Sequence, residues 1–125
     1  MSLDAVGVVS RDIARSVRFY AFLGVELVET GGPDHFEGLT ESGVRIMLDS
    51  IELVKQLNPA WKEPQGSGIT LCFLQDSPRA VDRIYDSIVE SGFASIQAPW
   101  DAFWGQRYAS VSDPDGNQID LFAPL

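Results

Sequence analysis

Apolar and polar positions alternate along this chain in short blocks, and the blocks fall into a repeated order. Leu3 to Val9 reads as a strand, with Val6 and Val8 on one face and Ala5, Gly7 and Val9 on the other. Asp12 follows as a helix N-cap, and Ile13, Val17 and Tyr20 recur at helical spacing up to Leu23-Gly24, where the glycine ends the helix. Val25–Glu29, Phe36–Leu39 and Val44–Leu48 read as strands, separated by Gly31-Gly32-Pro33 and Ser42-Gly43. From Ser50 to Gly66 the pattern weakens into a connector, with a short helix or turn at Ile51, Leu53, Val54 and Leu57.

The order then repeats. Ile69–Gln75 reads as a strand, and Asp76-Ser77-Pro78 is a helix start, with a capping residue followed by proline. Val81, Ile84, Tyr85 and Ile88 lie on one face of that helix, and Gly92 ends it. Phe93–Gln97 is a strand, and a loop carries Pro99, Trp100, Phe103, Trp104 and Gly105. Arg107–Ser112 leads through Asp113-Pro114-Asp115-Gly116, a tight turn, into Gln118–Phe122. Gly43-Val44-Arg45-Ile46-Met47-Leu48 matches Gly116-Asn117-Gln118-Ile119-Asp120-Leu121 in its glycine, isoleucine and leucine. The expected fold is α+β: two βαβββ modules, at about residues 1–50 and 67–125, joined by a connector at 51–66 into a single domain. Their sheets are expected to curl into one mixed sheet with helices on the outer face, enclosing a cavity.

Composition narrows the functional classes. The net charge of -9 speaks against a nucleic-acid partner; it either keeps the protein soluble or favours cationic small molecules by long-range attraction. No apolar run reaches the roughly 20 residues of a membrane span, and the N-terminus lacks a basic segment followed by an apolar one, so a cytoplasmic location is expected. The single cysteine, Cys72, forms no intrachain disulfide, which fits a reducing compartment; it reads as a small buried hydrophobe facing a helix. The single histidine, His35, follows a glycine-rich turn and reads as solvated. A Cys72/His35 nucleophile pair is not expected.

The segments Asp12-Ile13, Ser16, Phe19-Tyr20 and Leu23-Gly24, together with Asp113-Pro114-Asp115-Gly116-Asn117, resemble the vicinal oxygen chelate superfamily. That superfamily includes glyoxalase I, fosfomycin-resistance enzymes, extradiol dioxygenases and bleomycin-resistance proteins. Trp104-Gly105-Gln106-Arg107 resembles its bleomycin-resistance-like branch. The resemblance implies a homodimer whose sheets surround the ligand sites. It also implies, in enzymatic members, a divalent metal held from four strand positions. Those positions fall here on Ala5, Met47, Ile69 (or Thr70) and Asp120, of which only Asp120 is a hard donor, so no metal or other cofactor is expected.

With those positions apolar, the inner face reads Ala5, Gly7, Val9, Arg45, Met47, Asp49, Ile69, Leu71, Phe73, Gln118, Asp120 and Phe122, a small-molecule composition. Phe36, Trp61, Trp100, Phe103, Trp104 and Tyr108 are expected at its mouth, as stacking surfaces or as filling for a dimer interface. Arg107 is expected to pair with Asp120 or Asp49, or to hold a ligand anion. The expected ligand-binding set is therefore Phe36, Met47, Trp61, Trp100, Phe103, Trp104, Arg107, Tyr108, Asp120 and Phe122. The expected function is metal-free binding of an aromatic or cationic small molecule. The alternatives are a glyoxalase-like lyase, isomerase or dioxygenase with a divalent metal among Glu37, Glu41, Asp49 and Asp120, an enzyme with Asp120 as general base, and a structural dimerisation module.

Overall fold

Among the described residues, eight strands and three helices form in the order the alternation sets out. The computed structural model describes residues 1–66 and 68–125, so the expected start of the second module at residue 67 lies outside the described residues. Two compact units emerge, Met1–Pro64 and Gln65–Leu125. Unit 1 contains β1 (Ala5–Ser10), α1 (Ile13–Phe22), β2 (Val28–Glu29), β3 (His35–Leu39), β4 (Arg45–Ser50) and α2 (Ile51–Leu57). Unit 2 contains β5 (Thr70–Leu74), α3 (Pro78–Glu90), β6 (Ser95–Ala102), β7 (Gln106–Ser112) and β8 (Gln118–Pro124). Each has a four-stranded mixed sheet, in the order β1-β4-β3-β2 and β5-β8-β7-β6, with the first and last strands of each module parallel.

Local chemistry sets the boundaries. The side chains of Asp12, Ser50 and Ser77 accept hydrogen bonds from the backbone N–H of Arg15, Leu53 and Ala80, capping the three helices. β2 is shorter than expected, Val28–Glu29 rather than Val25–Glu29, and β6 is longer. It runs on through Trp100 to Ala102, with irregular register around Gln97, so Trp100 sits on a strand opposite Tyr108 rather than in a loop.

Period-two alternation fixes which face each strand residue presents. In unit 1, Val8, Ile46, Leu48 and Ser50 are buried on one sheet face, and the Ser10 hydroxyl there meets that of Ser16 on α1 at 2.8 Å. In unit 2, Ala109, Val111, Ile119 and Leu121 are fully buried, as are Val81 and Ile88 of α3. The opposite faces carry the polar chemistry described below.

The hairpin between β7 and β8 is held by a buried carboxylate. Asp113 Oδ1 accepts the backbone N–H groups of Asp115 and Asn117 at 2.9 and 2.8 Å, and Oδ2 accepts Asn117 Nδ2 at 2.9 Å. Gly116 takes the left-handed φ of 86° that closes the turn. Asp113→Ala strands these donors and is expected to lower stability by about 2 kcal/mol, measured as a fall in the urea midpoint at unchanged slope.

Candidate functional site

β8 brings Asp120 to the sheet face turned away from α3, and its neighbours on β7 and β8 supply donors. Tyr108 Oη–H donates to Oδ2 at 2.6 Å, and Ser110 Oγ–H and Gln118 Nε2–H donate to Oδ1 at 2.7 and 3.0 Å. Ser110 is directly across the ladder from Asp120, and Tyr108 is across from Phe122, so sheet register alone assembles the cluster. Asp120 is only 6% exposed. Burial and the adjacent Asp120 carboxylate push the Tyr108 hydroxyl well above the usual phenol range, so it stays protonated and keeps donating.

An aromatic row continues from this cluster. Tyr108 stacks on Phe122 with ring centroids 6.1 Å apart and an interplanar angle of 27°. Trp104 lies edge-to-face with Tyr108, Trp100 and Phe103, at 5.3, 5.5 and 4.9 Å. Gln106 Oε1 accepts the Trp104 indole N–H at 2.7 Å, fixing the ring's tilt. Trp100 remains 37% exposed, Trp104 47% and Phe103 91%. The face is thus a partly open row of rings beside a buried, fully hydrogen-bonded carboxylate.

Six of the ten expected binding residues, Trp100, Phe103, Trp104, Tyr108, Asp120 and Phe122, come together here. Arg107 does not join them. It lies one residue from Tyr108 and so points to the α3 side, where its guanidinium donates to both carboxylate oxygens of Asp82, at 2.8 and 3.2 Å, and to Asp101 at 3.1 Å. Its role is to tie the β6–β7 hairpin to α3, and the expected pairing with Asp120 or Asp49 gives way to these nearer carboxylates. Phe36 is also displaced: it pairs with Leu48, whose side chain is buried on the helix side of unit 1, so the ring lies on the face opposite Met47. Met47 does lie on the polar face of unit 1, and Trp61 is half-buried in the segment after α2 of that unit.

The β5 register revises the expected inner face. Cys72 is the partner of Asp120, and Leu71 and Phe73 are the partners of Ile119 and Leu121. Leu71 and Phe73 therefore turn toward α3, and Thr70 and Cys72 share the face of Asp120, whereas Ile69 precedes the strand. Cys72 is exposed rather than buried, and its thiol is close enough to Tyr108 to influence its ionisation. The apolar run Ile69–Leu74 concealed this, because it alternates too weakly to reveal its buried side.

The polar face of unit 1 holds a chain of charges. Arg45 donates to Asp4 Oδ2 at 2.7 Å and to Glu37 Oε1 at 2.6 Å. Glu37 Oε2 lies 2.9 Å from His35 Nε2, and Asp49 Oδ1 lies 2.5 Å from His35 Nδ1. His35 is thus not a solvated turn residue but the first residue of β3, about one quarter exposed and directly across from Asp49. The alternation His35, Glu37 against Arg45, Asp49 was the signal in the sequence for this cluster.

The donor set bears on the metal that the resemblance implies. Met47 is paired with Gly7, and Asp120 with Cys72. Glu37 and Asp49 sit at opposite nitrogens of one imidazole ring, so the three cannot converge on a single ion. Among the described residues no three His, Cys, Asp or Glu side chains come together in a metal-holding arrangement. Neither the Asp120 cluster of unit 2 nor the His35 cluster of unit 1 presents three or four donors converging on one point, the arrangement by which proteins hold a divalent cation.

Two βαβββ modules, each with helices on one sheet face and polar chemistry on the other, define a class of small α+β proteins built by internal repetition. The chain belongs to the Glyoxalase/Bleomycin resistance protein/Dioxygenase superfamily, whose sequence profile matches residues 2–121. It is 29% identical over 119 residues to an uncharacterized protein of Mycobacterium bovis, covering 91% of this chain and 78% of that one. The crystal structure of a glyoxalase/bleomycin resistance protein/dioxygenase family enzyme from Burkholderia phytofirmans superposes with a TM-score of 0.88 at 23% identity, over 100% of both chains. A glyoxalase/bleomycin resistance protein/dioxygenase from Nocardioides superposes at 0.78 and 26% identity, over 100% of this chain and 84% of that one. No helix among the described residues is long and apolar enough to cross a membrane.

Proposed function

We propose that this protein is a metal-free binder of an aromatic or cationic small molecule, of the bleomycin-resistance-like kind, acting as a cytoplasmic homodimer. The ligand lies against the aromatic row of unit 2. The observation that carries this reading is the row itself: Trp100, Trp104 and Phe103 remain partly open to solvent beside Tyr108 and the buried carboxylate of Asp120. Exposed indoles offer flat faces and negative ring potential to planar and cationic partners. The net charge of -9 attracts cations to the surface from a distance. Asp120 serves as a fixed negative charge behind the rings. Three donors already occupy its oxygens, which favours an electrostatic role over that of a general base.

Tryptophan emission tests the reading. Planar cationic compounds are expected to quench it saturably, and Trp104→Leu is expected to weaken binding roughly tenfold, a loss of about 1.4 kcal/mol. Metal analysis of the purified protein is expected to find no stoichiometric divalent ion. Stoichiometric metal, or turnover that disappears in Asp120→Asn, would replace this reading with a glyoxalase-like lyase or dioxygenase.

A further inference from the structure

The polar face of unit 1 contains a group that the ligand-binding reading does not use. His35 is flanked at both ring nitrogens by carboxylate oxygens, Asp49 Oδ1 at 2.5 Å and Glu37 Oε2 at 2.9 Å. A carboxylate ion is an acceptor only. Both contacts are hydrogen bonds only if both nitrogens carry hydrogen, which is the imidazolium form. A neutral ring has one N–H and one lone pair, and the lone pair would then face an anion at hydrogen-bonding distance. The neighbouring charges are arranged for the cation. Glu37 lies two residues along on β3 itself, and Asp49 is the register partner on β4. Arg45, also on β4, holds the other oxygen of Glu37, and Asp4, ahead of β1, holds Arg45. From β1, Val9 is the neighbour of Asp49, and from β2, Val28 is the neighbour of Glu37, so neither strand adds a charge on this face. Asp34, in the preceding turn, accepts the Ser50 hydroxyl. Among the described residues, Asp49 and Glu37 are the two whose charges act directly on the ring.

We propose that unit 1 carries a proton-operated clasp, in which Asp49 and Glu37 grip His35 from both sides and hold β3 to β4 while the ring is doubly protonated, and release one side when it loses a proton. The side released is Glu37. Its contact is the longer of the two, and Arg45 retains it through its other oxygen. The proton on Nδ1 stays with Asp49. Deprotonation leaves three carboxylates facing one cation where there had been two, so the face beside Met47 becomes more negative as the clasp opens.

The hydrogen bonds to Asp49 and then Glu37 raise the histidine above its ordinary value of 6.5, against a smaller opposing effect of burial. A histidine raised in the folded state adds stability that is fully present below pH 6.5 and is lost as pH climbs through the raised folded value.

His35 is the only histidine in the chain, so its ring resonances in an NMR pH titration need no assignment by mutation. The expected result is a midpoint above 6.5, with both ring nitrogens protonated below that midpoint. Glu37→Gln and Asp49→Asn are each expected to move the midpoint down toward 6.5, Asp49→Asn by more because its contact is the first cause of the elevation. Urea midpoints of the parent are expected to fall between neutral and alkaline pH, and His35→Gln is expected to flatten that fall. A midpoint at or below 6.5, or a midpoint indifferent to both carboxylate variants, would overturn the clasp. These readouts involve no ligand, so they stand or fall apart from the binding function assigned to unit 2.

Discussion

Asp120→Ala is expected to lose about 3 kcal/mol of stability and, with it, the order of the aromatic row. The alanine removes the acceptor of three donors at once: the Tyr108 and Ser110 hydroxyls and the Gln118 amide. Each buried donor left without a partner costs on the order of 1–3 kcal/mol. The three do not suffer equally. Ser110 is buried and has the least access to replacement water, whereas Tyr108 and Gln118 are half-buried and can turn outward. The loss is therefore smaller than three full penalties. Tyr108 also carries the stack with Phe122 and the edge contact with Trp104, so its displacement should register in tryptophan emission even without ligand. Asp120→Asn provides the comparison. It keeps one oxygen acceptor, and a serine hydroxyl can rotate to accept from the new amide. It should lose about 1 kcal/mol, and a loss equal to that of alanine would mean that charge, not hydrogen bonding, holds the cluster.

Gly38→Ala is the second large effect, expected at roughly 3 kcal/mol in unit 1. Gly38 lies mid-strand on β3 with no left-handed φ, so backbone freedom is not its purpose. A Cβ there would collide with the carbonyl oxygen of Glu26, sit 2.9 Å from its carbon, and lie 3.2 Å from Val25 Cγ1. Two of these neighbours are main-chain atoms of the segment that buries Val25 and Leu27, and they cannot rotate aside. Interiors near close packing absorb such an overlap only by shifting backbone. Gly7→Ala on β1 is the control, because its Cβ would meet only Met47 Cε at an ordinary 3.9 Å. Thermal or urea midpoints of the two variants should separate clearly. Equal midpoints would place the tight approach of β3 to the segment before β2 in doubt.

How far the fold could be read from the sequence depended on how strongly each segment alternated. α1 and α3 announced themselves through Asp12 and Ser77-Pro78 at their starts and through Gly24 and Gly92 just beyond their ends, whereas the Ser50 cap of α2 lay in a segment whose pattern was weak. The final hairpin was legible because Asp113, Pro114 and Gly116 each do one well-defined thing in a turn. β5 was less legible. Leu71, Cys72, Phe73 and Leu74 are all apolar, so nothing local says which pair faces α3, and the expectation placed the wrong pair outward. Pairing with β8 decides it, because Ile119 and Leu121 must go under the helix and carry Leu71 and Phe73 with them. The same coupling put Phe36 on the helix side, through its register with Leu48.

The site was legible in part. The rings of Trp100, Phe103, Trp104, Tyr108 and Phe122 and the carboxylate of Asp120 could be grouped because they crowd into the last quarter of the chain. Arg107 was misplaced because charge complementarity named several acids on different strands and did not choose among them. Asp82 is 25 residues away in sequence, and only the packing of α3 on β7 brings it within reach. His35 was undervalued for a similar reason. A lone histidine after two glycines looks solvated until β3 pairs with β4 and brings Asp49 across from it.

By itself, the sequence determined the two βαβββ modules, the extents of α1 and α3, the closing turn and the aromatic character of the second half. Those are local properties, written in periodicity, capping residues and turn chemistry within a few positions of each other. Tertiary structure alone decided which sheet face each ambiguous side chain took, that Arg107 serves α3 rather than Asp120, and that His35 is gripped between two carboxylates. Each of those outcomes depends on strand register and helix packing, which bring together residues that lie far apart along the chain, and a one-residue slip in register would have sent every one of them to the other side.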